Sequence, residues 1–220
     1  MNIGVLGGTF DPPHDAHLRI AERSIDQFSL NKVIFIPSGN PWQKKDATSY
    51  RHRYEMTKIL IGDSKDLEIS DIENSEENPS YTYETLKKLN HPKEELYFIL
   101  GSDAAINIKT WKNYELLSNL TNFLIALRSE DNIDVLENNF PFNYEIISGD
   151  KLDLSSTTLR NKLKEKNVNT DKYNLCYTKK ISLANDIECE LCRHDEKNKT
   201  FICRPNEADE ELILYLSVSK

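Results

Sequence analysis

The chain has 220 residues, of which 38% are hydrophobic and 29% charged, and its formal net charge is -8. That balance suits a soluble globular protein with one large domain, or one domain and a small appendage. The negative net charge argues against a general nucleic-acid or membrane-surface binder, but not against phosphate-bearing small molecules held in a locally positive site.

The first ten residues lack a basic opening and a long apolar run, so no secretory leader is read. Apolar runs such as residues 33–36 and 124–127 are far too short to span a bilayer. The expectation is a cytoplasmic protein with reduced thiols. Short β-branched runs then alternate with amphipathic segments. Strands are predicted over residues 3–6, 33–36, 67–69, 96–100, 123–127 and 144–147, and helices over 14–28, 51–61, 81–89, 114–120 and 156–164. In the second helix Tyr54, Lys58 and Ile61 share one stripe, and Met56, Ile59 and Leu60 fall near another. Near-continuous apolar strands between helices imply an α/β fold: a Rossmann-like, doubly wound parallel sheet covered on both faces. Ligands of such sheets sit beyond the carboxyl ends of the strands.

The stretch GVLGGTFDPPHDAH follows the first strand. Gly7 and Gly8 are read as a sharp turn that lets backbone approach a ligand. Asp11 is a candidate N-cap, with Pro12 in the first helical turn. A helix start after a glycine turn is an anion site, and His14 and His17, three apart, share the helix face that would meet that anion. A zinc reading of the two histidines lacks an obvious third ligand nearby.

After Lys166 the pattern changes. A polar connection leads to short apolar runs separated by turn-like segments, which read as a small antiparallel meander. The expected division is a domain over residues 1–165 and a β-rich C-terminal extension over 166–220. All four cysteines, Cys176, Cys189, Cys192 and Cys203, lie in that extension. Four thiols, or three with His194, could complete a structural zinc site. However, Cys189 and Cys192 fall in a strand-like run, where residues three apart face opposite sides. Cysteines acting as small buried apolar residues are the favoured reading.

Five ordered segments carry a resemblance. GGTFDPPHDAH, NPSYTYETLKKL, FILGSD, TWKNYELL and LSSTTLR resemble the motifs of the HxGH-type nucleotidyltransferase superfamily, and within it the nicotinate-nucleotide adenylyltransferases. The resemblance spans about residues 1–165. It implies transfer of AMP from ATP to nicotinate mononucleotide, giving deamido-NAD and pyrophosphate, in NAD biosynthesis. It also implies Mg²⁺ bound mainly through the ATP phosphates. His14, His17, Lys44 and Arg160 would carry catalysis. ATP would be bordered by Gly7, Gly8, Thr9, Phe10, Gly101, Asp103, Arg128, Ser155, Ser156 and Thr157, together with the two histidines and Arg160. Asp103 would contact a ribose hydroxyl, unless it is a helix N-cap. The acceptor would meet Thr9, Lys44, Tyr81, Thr82, Trp111 and Lys112, with Trp111 stacked on the pyridine ring.

Two departures stand out. Ala16 occupies the position of the family's usual glycine between the histidines, and Pro41-Trp42-Gln43-Lys44 replaces Pro-Pro-His-Lys. They keep two alternatives open: nicotinamide mononucleotide as acceptor, or a catalytically weak nucleotide-binding regulatory module.

Overall fold

The computed structural model describes residues 1–42, 44, 47–75, 77–127, 133–149 and 155–157, together with the backbone of 174–179, 192–195, 200–203 and 212–217. Six strands form one parallel sheet: β1 (Ile3–Gly8), β2 (Lys32–Pro37), β3 (Leu67–Ile69), β4 (Leu96–Gly101), β5 (Asn122–Ala126) and β6 (Glu145–Ile147). Their spatial order is β3-β2-β1-β4-β5-β6. Chain order reverses between β1 and β4, so a crevice opens there at the carboxyl ends of the strands.

The sheet forms because its strands alternate two buried faces. Val5, Phe98 and Ile125 belong to one apolar cluster, while their neighbours Leu6, Ile99 and Leu124 belong to the other. Each fully buried side chain of this size contributes about 1.5–3 kcal/mol. Helix α1 (Asp15–Phe28) lays Leu18, Ala21, Ile25 and Phe28 on the second cluster, the 3–4 spacing of one helical stripe. Helix α2 (Tyr50–Ile61) buries Arg53, Met56, Thr57, Leu60 and Ile61, and leaves Ile59 41% exposed. Its inward face therefore takes Met56 and Leu60 from one expected stripe and Ile61 from the other, adds Arg53, and leaves out Ile59. Helix α3 (Thr82–Leu89) tucks in Leu86, and short helices α4 (Ser102–Ile106) and α5 (Ile133–Asn139) complete the layers.

The predicted strands all form. The helix predicted over 114–120 is a 3₁₀ segment, Tyr114–Asn119, while α4 and α5 lie where no helix was expected. Only Ser156 and Thr157 of the predicted helix 156–164 fall within the described residues, and both are helical. In the extension, β7 (Asn174–Lys179) pairs antiparallel with β10 (Leu212–Ser217), and β8 (Cys192–Asp195) with β9 (Thr200–Cys203). β9 and β10 fall on expected apolar runs, whereas β7 precedes the first expected run and β8 extends past Cys192 into a segment read as a turn. The expected runs at 181–184 and 187–191 lie outside the described residues, and β7 pairs with β10 instead of with its sequence neighbour. Cys189 lies outside the described residues. Among those described, no helix is long and apolar enough to cross a membrane.

Candidate active site

The turn after β1 differs from the simplest reading of its sequence. Gly7 and Gly8 are the last two residues of the strand, paired with Ile36 and Pro37. The left-handed residue is Phe10, with φ of 50°. That conformation is uncommon for an aromatic residue and has to be held by its surroundings. Gly8 supplies the room: a Cβ there would stand 3.1 Å from the Phe10 ring. The buried ring in turn meets His17 edge-on at 5.0 Å and packs beside Phe35.

Asp11 does not cap the helix. Its carboxylate accepts the Thr48 N–H at 3.1 Å, and the Asp11–Pro12 peptide is cis. Proline disfavours helical backbone in the residue before it, so Pro12 and Pro13 defer the helix to Asp15, with His14 as N-cap. The consequence is a paired imidazole at the helix entrance. The His14 and His17 rings stack with centroids 3.8 Å apart. The backbone N–H of His14 donates to His17 Nδ1 at 3.1 Å. That bond assigns the proton of a neutral His17 ring to Nε2, the edge remote from its own helix entrance.

A cavity of about 1030 Å³ lies at the switch point and collects nearly all the expected residues. From the β1 turn and α1 come Gly7, Gly8, Thr9, Phe10, His14 and His17. From the end of β4 and the start of α4 come Gly101 and Asp103. The cap of α4 is Gly101, and Asp103 sits inside the first turn, so the N-cap alternative for Asp103 is not the one realised. Ser155, Ser156 and Thr157 line the same space. Ser156 Oγ donates to the Pro12 carbonyl at 2.8 Å, tying this segment to the histidine turn. Arg128 and Arg160 lie outside the described residues.

The opposite wall holds Tyr81 and Thr82 at the entrance of α3, with Trp111, Lys112 and Lys44. Trp111 is half-buried, edge-on to Phe98 at 6.1 Å, so it is at once a core aromatic and a cavity wall. The Lys112 ammonium stands 4.4 Å from the Tyr81 ring centroid, a cation–π distance. Trp42, one of the two departures at 41–44, also lines the cavity and is 43% exposed. Ala16 is buried at its edge.

Sequence reasoning missed Ile20, Arg23, Glu73, Ser80 and Asn107, which also line the cavity. Ile20 and Arg23 continue the three-residue spacing of His14 and His17 along α1, and that spacing was available as a signal. Ser80 stands inside the quoted segment NPSYTYETLKKL, directly before Tyr81, and that placement was its signal. Glu73 carried none, since nothing in the local pattern brings it to the loop after β2. No group of three or more histidine, cysteine, aspartate or glutamate side chains suited to a metal occurs among the described residues.

The cytidylyltransferase-like family model matches residues 5–162. A "probable nicotinate-nucleotide adenylyltransferase" of Clostridium novyi is 42% identical over 174 residues, covering 74% of this chain and 87% of that protein. One of Desulfitobacterium hafniense is 41% identical, covering 74% and 84%. Among solved structures, the Plasmodium falciparum nicotinic acid mononucleotide adenylyltransferase complexed with NaAD is 28% identical, with a TM-score of 0.65, and the match covers 77% of this chain and 87% of that one. The chain therefore belongs to the cytidylyltransferase-like family, on its nicotinate-nucleotide adenylyltransferase branch.

Proposed function

We propose that the protein is a cytoplasmic adenylyltransferase of NAD biosynthesis, joining the AMP of ATP to nicotinate mononucleotide and releasing pyrophosphate. The observation that carries this reading is the stacked His14–His17 pair facing the same cavity as Tyr81, Thr82 and Trp111. The first group suits a triphosphate, the second an aromatic acid.

The acceptor phosphate is ionised at neutral pH, so no strong base is required. Its oxygen bonds to the α-phosphorus while the bond to the β-phosphate oxygen breaks, in line and on the opposite side. Catalysis then rests on positioning and on donors aimed at the growing negative charge. His17 Nε2–H and the His14 ring would supply such donors to the α-phosphoryl oxygens. The segment Ser155–Thr157 offers hydroxyls at a helix start for the remaining phosphate oxygens, with Arg160 as a bidentate partner. Lys44 would meet the acceptor phosphate. A Mg²⁺ ion carried by triphosphate oxygens and water would neutralise charge on the leaving pyrophosphate.

On the acceptor side, Trp111 offers a face for the pyridine ring, and the entrance of α3 at Tyr81–Thr82 offers N–H groups for a carboxylate. Lys112 over Tyr81 adds a positive charge there, which favours the acid over the amide. The test is pyrophosphate release with ATP and Mg²⁺ and each mononucleotide in turn. Turnover should be faster with nicotinate mononucleotide. Preference for nicotinamide mononucleotide would reassign the acceptor, and ATP binding without turnover of either would favour the regulatory module.

A further inference from the structure

Arg53 is the largest fully buried polar side chain, 1% exposed, and it lies outside every motif read from the sequence. Its guanidinium donates to three carbonyls. Nε reaches Thr48 at 2.6 Å, Nη1 reaches Thr9 at 2.8 Å and Nη2 reaches Gly39 at 3.1 Å. Thr9 belongs to the histidine turn, and Gly39 to the loop after β2. A buried charge on three backbone acceptors is costly to assemble and costly to break, which marks the geometry it enforces.

The backbone of Gly39 is held through its N–H as well. Its N–H donates to the Glu73 carboxylate, which also accepts from the hydroxyls of Ser80 and Thr85, the latter at 2.5 Å. Ser80 uses both of its capacities, since its Oγ accepts the Asn40 N–H at 3.2 Å. Its backbone N–H closes the link by donating to Asn40 at 3.0 Å. Gly39 is the only residue type that fits between these clamps, because a Cβ there would stand 1.9 Å from the Glu73 carbonyl oxygen. One continuous chain of polar contacts thus runs from Thr9, through Arg53, Gly39 and Glu73, to Ser80, the residue before Tyr81 and Thr82.

We infer that Arg53 and Glu73 are positioning residues that clamp the backbone of Gly39 at its C=O and its N–H and so fix the distance between the histidine turn and the acceptor-binding segment. Neither is required to touch a reacting atom. The inference rests on the acceptor assignment proposed above. In-line displacement demands such a fixed span, because an error near 1 Å in the approach of nucleophile to phosphorus costs about a hundredfold in rate.

The test uses the full chain with Glu73→Gln, Thr85→Val, Arg53→Lys and the Glu73→Gln/Arg53→Lys double variant. For each, kcat and KM are measured for both substrates, and calorimetric titration gives the affinities for ATP and for nicotinate mononucleotide separately. Glu73→Gln should weaken mononucleotide binding about tenfold, the loss of a hydrogen bond to a charged group, with ATP affinity unchanged within a factor of two. Thr85→Val should shift the same quantity in the same direction. Arg53→Lys should weaken both ligands, since it releases Thr9 as well as Gly39. The double variant should lose less than the product of its single losses, because both side chains hold the backbone of one residue. Equal effects on both ligands in Glu73→Gln, unchanged binding at a lowered melting temperature, or multiplicative losses in the double variant would overturn the inference. Wild-type binding of both ligands without turnover would instead sink the proposed reaction, and the binding measurements would still judge the clamp.

Discussion

His17 is held by the Phe10 ring at its edge, by the stacked His14 ring and by the His14 N–H at Nδ1. The ring is only half-buried, so removing it should cost function more than stability. His17→Ala is expected to lower kcat by about 10²–10³-fold, the loss associated with one donor to a developing oxyanion. Its melting temperature should stay within about 2–4 °C of wild type, the shift produced by about 1 kcal/mol in a domain of this size. Comparable losses in activity and stability would make His17 a structural residue. Glu73 behaves differently. Burial pushes its carboxyl above the ordinary value of 4.5, against the lowering by hydrogen bonds from Thr85 and Ser80 and by the Lys88 charge. The folded chain then holds this proton more tightly than the unfolded chain does. Stability from this group is therefore greatest at low pH, declines as pH rises from about 4.5 through the raised folded value, and levels off above it. Glu73→Gln cannot titrate, so urea unfolding across that window should show a shallower fall with pH than wild type. Identical slopes would contradict the assignment.

At the scale of elements, the loop after β2 is where the sheet meets the site. Gly39→Ala places a methyl group against the Glu73 and Ser75 carbonyls, 1.9 and 2.4 Å from its ideal position. The loop has to shift, and stability should fall by about 1–3 kcal/mol or more, seen as a lower urea midpoint. A midpoint equal to that of wild type would show that the loop yields freely and that the clamp is loose. The same loop shows what the sequence could and could not disclose. The strands were legible because Ile36, Phe98 and Ile125 are buried on one sheet face and Phe35, Ile99 and Leu124 on the other, which leaves a near-continuous apolar signal. The histidine pair was legible from its spacing. The position of the turn was not, because Gly7 and Gly8 announce flexibility while the sharp bend falls on Phe10. The helix itself was legible to within a residue, but its cap was misassigned, because Asp11 is occupied by Thr48, 37 residues away. Arg53 looked like any surface arginine on an amphipathic helix, since its partners are carbonyls that only the sheet order brings to it.

For the whole molecule, the boundary near residue 165 is a proposal that a fragment can test. Among the described residues, both apolar clusters draw only on residues before 148. A chain of residues 1–165 should therefore unfold cooperatively and keep adenylyl transfer, as measured by urea titration and pyrophosphate release. An insoluble or inactive fragment would show that the extension completes the fold. The sheet order has a consequence for biosynthesis. β1 leaves the ribosome first yet lies at the centre, between β2 and β4. One of its two edges is satisfied after some thirty residues, while the other waits until residue 96 has been translated. A nascent chain stalled before that point displays a bare, apolar strand edge to its surroundings, which is the kind of surface that chaperones recognise and that aggregates seed from.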